Sequence, residues 1–130
     1  MPTATPPHRR LAAAIADLHR ALLGAQAAGT PLAGNPYALL QAVMHDPDFA
    51  WLRDFSNLLL SIDEAGAKGA TPSPEAMRSF LTRAGHLLDG GDPATMQSHT
   101  MLQMHQLRPE IATKAAAMRQ VVEDLRQNRS

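Results

Sequence analysis

The chain contains no cysteine, and that one absence excludes a disulfide framework, a thiol nucleophile, a zinc knuckle and an iron–sulfur cluster. Aromatic residues are scarce at 4%, with one Trp, one Tyr and three Phe, so the core must be built mostly from Leu, Ala, Ile, Val and Met. Such a core favours helices over strands. An excess of charge of either sign is also missing, since twelve Lys and Arg balance twelve Asp and Glu. Without a net field there is no general attraction for nucleic acid or an anionic membrane. The local basic groups His8-Arg9-Arg10, His19-Arg20 and Arg126 with Arg129 are too small to reverse this. No segment approaches the roughly 20 apolar residues of a spanning helix. The run at 11–16 is short for a secretory core, and the helical period continues past it through Leu22. These absences imply a soluble, cytoplasmic protein whose partner is neither membrane nor nucleic acid.

Catalytic and cofactor motifs are missing as well. Gly90-Gly91 precedes a helix start but lacks the Lys-Ser/Thr of a phosphate loop. No Glu-x-x-His or His-x-x-x-His pair occurs, which excludes haemerythrin-like and ferritin-like di-iron bundles. Ser56 has no base beside it in the sequence, so a hydrolase triad has no support there. The expectation is a protein that is not an enzyme and carries no cofactor.

What is present is helical periodicity over almost all of the 130 residues, enough for one domain burying roughly two thirds of its unfolded surface. Residues 1–7, rich in Pro and Thr, are expected to fray. The stretch at 46–64, DPDFAWLRDFSNLLLSIDE, reads as the central helix, with Asp46 as N-cap, Pro47 at the first position and Asp48 complementing the dipole. Phe49, Leu52, Phe55 or Ser56, Leu59 and Ile62 form one row; Trp51, Phe55, Leu58 and Ile62 form a second, overlapping one. Two rows imply packing on more than one neighbour.

Around it, the spacing predicts a first helix over about 7–28 with Leu11, Ile15, Leu18 and Leu22 on one face. A short second helix opens at Asn35-Pro36, with Tyr37, Leu40 and Met44 sharing a face. A fourth starts at Ser73-Pro74, a fifth runs from Asp92-Pro93 through about Leu107, and a sixth spans about 109–127 with Ile111, Ala115, Met118, Val122 and Leu125 aligned. No stretch alternates in the manner of a strand. The predicted architecture is all-α, a compact bundle of four long helices plus one or two short ones in a single domain.

The pieces LHRALL at 18–23 and ALLQAVMHDPDFAWLRDFSNLLLSIDEA at 38–65, with the acid-Pro helix starts, resemble a family of small all-helical bacterial proteins. The hallmark of that family is a central helix carrying FAWLR, then Ser, then IDE. The resemblance implies a helical fold and a bacterial, cytoplasmic setting, and no particular activity, cofactor or catalytic residue. Asp54-Phe55 stands where the family pattern has Pro-Leu, and the Met- and His-rich fifth helix is private to this chain.

Two groups of residues could carry chemistry. In the fifth helix, Met101, Met104 and His105 offer soft ligands for Cu(I) or haem iron, whereas Met96, Thr100, Met104 and Leu107 lie along one face and His99 points to the opposite, polar side. The plainer reading is that the Met residues fill core and the His residues sit at its boundary. The second group is a polar row of Arg53 and Asn57 beside Trp51 that, with Asp63 and His19, could line a cleft for a small polar ligand. A solvated salt-bridge face explains most such rows equally well. His19 is expected at the boundary of the first helix, hydrogen-bonded to a neighbour. The surplus of apolar helix faces points to a protein-interaction or regulatory module, self-associating or bound to another protein, with the Met101/Met104 edge and the Leu23 side of the first helix as contact surfaces. The alternative is a binding protein for a small ligand or soft metal using the helix at 93–107.

Overall fold

Proline placement sets most of the element boundaries. The structure, a computed structural model, describes residues 5–28 and 30–127, the side chain of Asp48 excepted. The α-helices among them are α1 (Pro7–Ala27), α2 (Pro36–His45), α3 (Arg53–Ala65), α4 (Pro74–Asp89), α5 (Met96–His105) and α6 (Pro109–Gln127). The described residues contain no strand. Four of the helices, α1, α2, α4 and α6, begin on a proline, whose missing N–H would have had no partner there. Asn35 and Ser73 complete two of these starts, their side chains accepting the N–H of Ala38 and Ala76, each at 3.1 Å. Of the segment expected to fray, residues 1–4 lie outside the described residues, and Pro7 already begins α1.

The four long helices form a ring: α1 packs on α3 and α6, and α4 joins α3 to α6. The rows at Leu11, Ile15, Leu18 and Leu22 and at Ile111, Ala115, Met118, Val122 and Leu125 are buried, and α1 with α6 is the most extensively packed pair. Arg10 bridges it at one edge, 3.7 Å from Asp124, and Arg119 pairs with Asp89 between α6 and α4. The short α5 packs on α4, α1 and the 3₁₀ turn at Pro47–Leu52, while α2 has that turn as its one substantial neighbour. Phe55 is fully buried on α3, with the Trp51 ring edge-on at 6.2 Å.

Three expectations need correcting. Residues 46–64 are not one α-helix: Pro47–Leu52 is 3₁₀ and the α-helix starts at Arg53. An α-helix turns 100° per residue and would point Phe49 and Trp51 to opposite sides, whereas a 3₁₀ turn eclipses Phe49 with Leu52, and all three are buried. Asp46 serves both sides of this boundary: its N–H donates to the Ala42 carbonyl at 2.7 Å to end α2, and its carbonyl accepts the Phe49 N–H at 3.0 Å to open the 3₁₀ turn rather than the α-helix. The fifth helix is likewise shorter than 93–107, because Asp92 accepts the Ala94 N–H at 3.0 Å to form a separate turn at Pro93–Thr95.

The third correction concerns which side of α5 faces inward. Ser98, His99 and Leu102 are buried, while Met96, Met104 and Leu107 are exposed, the reverse of the hydrophobicity pattern. Two polar residues tolerate burial because each has a partner. The Ser98 hydroxyl meets the Trp51 carbonyl at 2.7 Å and the Asp54 carboxylate at 2.5 Å, and His99 Nδ1 lies 3.3 Å from the Leu87 carbonyl. The His99 ring also requires a bare backbone at Gly90, where φ is 83° and a β-carbon would stand 3.0 Å from His99 Cδ2.

Candidate functional site

The proposed cleft residues are distributed rather than gathered. Arg53 turns back to α2, where Nε donates to the Val43 carbonyl at 3.1 Å and an Nη to the Met44 carbonyl at 2.6 Å. A cation on the last carbonyls of a helix suits the dipole and fixes the C-terminal end of α2. Asn57 lines a cavity of about 140 Å³ between α3 and α4, with Asp54, Arg83, His86, Asp92 and Thr95. His86 Nδ1 and the Asp92 carboxylate lie 3.7 Å apart in that cavity. Asp63 lines a different cavity, of about 310 Å³, where α1 meets the loop after α3.

His19 sits at the boundary of α1, half-buried, with Nε2 3.1 Å from the Ser56 hydroxyl. Ser56 therefore has a base beside it after all, brought across 37 positions of sequence by α1–α3 packing. Burial, and secondarily the Arg20 charge, hold His19 below the ordinary histidine range, so the neutral imidazole is the favoured form. Ser56 also reaches back 3.4 Å to the Leu52 carbonyl, and neither His19 nor Ser56 lines the cavities at Asp63, at Asn57 or at Arg78 and Arg126. The pair is a tie between helices.

The soft-ligand trio is also divided among tasks. His105 stacks on the Trp51 indole, with centroids 5.5 Å apart and planes 18° apart, and its Nε2 lies 3.2 Å from Gln26 Oε1. Burial, then Arg108, lower its pKa. Met101 packs against the core and Met104 is exposed. Among the described residues no group of three or more His, Asp or Glu is arranged to hold a metal ion.

The most pronounced surface feature lies on α2. Its ten residues, PYALLQAVMH, include no Asp, Glu, Lys or Arg. Ala42 is buried, and Leu39 and Val43 pack partly against the core. On the opposite face Tyr37, Leu40 and Met44, at i, i+3 and i+7, are 73%, 56% and 53% exposed. The sequence places these three on one face, and the signal for its outward direction is that α2 is apolar all round: one peripheral helix cannot bury both sides in the same core. Of the contact surfaces expected from sequence, Met101 and Leu23 are instead partly buried against the core. No described helix is long and apolar enough to cross a membrane. Comparison with protein-family models, with curated proteins and with solved structures found no match to this chain.

Proposed function

We propose that the chain is a small helical interaction module that pairs with a second copy of itself through the outward face of α2. The observation that carries this reading is the exposed row of Tyr37, Leu40 and Met44 on a helix that is apolar on both sides. A second copy is favoured over an unlike partner by charge. α2 has no Asp, Glu, Lys or Arg, and the chain has a net formal charge of zero, so two copies approach without repulsion. A two-fold arrangement would set the same row against itself. Ten residues of helix span about 15 Å, a size that suits a weak, concentration-dependent dimer rather than an obligate one. Arg53, by holding the α2 carbonyls, keeps the face in place.

On this reading the protein is not an enzyme and needs no cofactor. We place it in the bacterial cytoplasm, on the resemblance at 38–65 and the lack of cysteine. Light scattering over a concentration range tests the pairing. The average mass is expected to rise with concentration, Leu40→Lys to abolish the rise, and Leu107→Lys, at an exposed site outside α2, to leave it intact. A monomer at every concentration, or equal loss with Leu107→Lys, would contradict the proposal.

A further inference from the structure

The cavity at the start of α1 presents a charge arrangement that the helix by itself does not favour. The first turn of α1 holds His8, Arg9 and Arg10 and no acid, and its Arg9 and Arg10 N–H groups both donate to the Pro6 carbonyl at 3.0 Å. Cations there oppose the helix dipole, and an anion among them would relieve that opposition. Arg9 lines the cavity with Lys68 and Asp63. Neither cation forms an ion pair with Asp63 among the described residues.

A second, independent feature points into the same space. His8 also lines the cavity, is only 7% exposed, and has no hydrogen-bond partner on either ring nitrogen among the described residues. Neither nitrogen is sealed off from the cavity, in contrast to the enclosed Nε1 of Trp51. The His8 ring nitrogens are therefore open to bond whatever occupies the cavity. The fold makes room for that ring: a β-carbon at Gly66 would stand 2.7 Å from His8 Nε2. Lys68, also on the lining, adopts the left-handed conformation, with φ of 59°, at a position where glycine would be easier.

We infer that this cavity is an oxyanion site for a phosphate group, free or as the head of a small metabolite, bound by Arg9, Lys68 and the His8 imidazole. Donors from several directions fit a tetrahedral oxyanion better than a planar carboxylate. Asp63, the one acid on the lining, disfavours bare phosphate by its charge and suits a hydroxyl or amino group on the body of an ester.

The test is thermal unfolding of the full chain titrated with inorganic phosphate and, separately, glycerol phosphate, against chloride at matched ionic strength. A saturable rise in midpoint with phosphate, absent with chloride, is expected. Tighter binding of glycerol phosphate than of inorganic phosphate would identify a metabolite head group, and equal or weaker binding the free anion. Lys68→Gly relieves the backbone while removing the charge, so it should keep or raise the unliganded midpoint yet weaken binding by about tenfold or more, as should Arg9→Gln. Arg10→Gln, whose side chain pairs with Asp124 instead, should bind as the parent does. No saturable effect, an unchanged response in Lys68→Gly and Arg9→Gln, or an equal loss in Arg10→Gln would overturn the assignment.

Discussion

A histidine that folding keeps neutral makes stability depend on pH, and His19 is in that position, with His105 acting in the same direction. Both are lowered in the folded state from the ordinary value of about 6.5. As the pH falls, the unfolded chain takes up these protons first. The stability they contribute is therefore whole above about 6.5 and is lost as pH falls from there through the lowered folded values. The urea midpoint should drop between about pH 7.5 and pH 5.5, and His19→Gln, which can keep a hydrogen bond to Ser56, should reduce that drop. An undiminished drop in the variant would mean that His19 is not the group responsible. That His19 bonds a neighbouring helix is legible from its place beside the α1 stripe. Its partner is not, because Ser56 lies on α3 and nothing local links the two.

At the scale of elements, proline and its preceding cap reported where segments begin but not what kind begins. Asn35-Pro36 and Ser73-Pro74 open α-helices, whereas Pro47 and Pro93 open 3₁₀ turns. The difference lies in tertiary demand: Phe49, Trp51 and Leu52 all enter the core, a requirement visible only once the neighbours are placed. The inward side of α5 was illegible for a related reason. Hydrophobicity ranks Met96 and Met104 above Ser98 and His99, but hydrogen-bond partners on Trp51, Asp54 and Leu87 reverse the order. Ser98→Ala removes the one donor facing two acceptors, and chemical denaturation should show a loss of about 1–3 kcal/mol. A neutral result would show that Asp54 and the Trp51 carbonyl find other donors. Phe55 could be read directly, since both apolar rows of the stretch at 46–64 pass through it. It is fully buried, so Phe55→Ala should cost about 3–5 kcal/mol, and a loss under half a unit would place it outside the load of the core.

For the whole molecule, the ring of α1, α3, α4 and α6 accounts for the long apolar stripes, including the heptad-spaced rows on α1 and α6 that pair internally. What the ring leaves uncovered is α2, joined to it mainly through one 3₁₀ turn and clamped by Arg53. Bundle formation was legible because stripe length and period survive averaging over the chain. The outward direction of Tyr37, Leu40 and Met44 was legible only from α2 being apolar all round, because periodicity states which residues share a face and is silent on whether anything covers it. Tyr37 is the chain's sole tyrosine, so its ring resonances report on that face without any substitution. If α2 pairs with its copy, those signals shift or broaden as the protein is concentrated, in step with the average mass, while the buried Trp51 indole signals stay put. Tyr37 signals that do not move across a range in which the chain should associate would contradict pairing through α2.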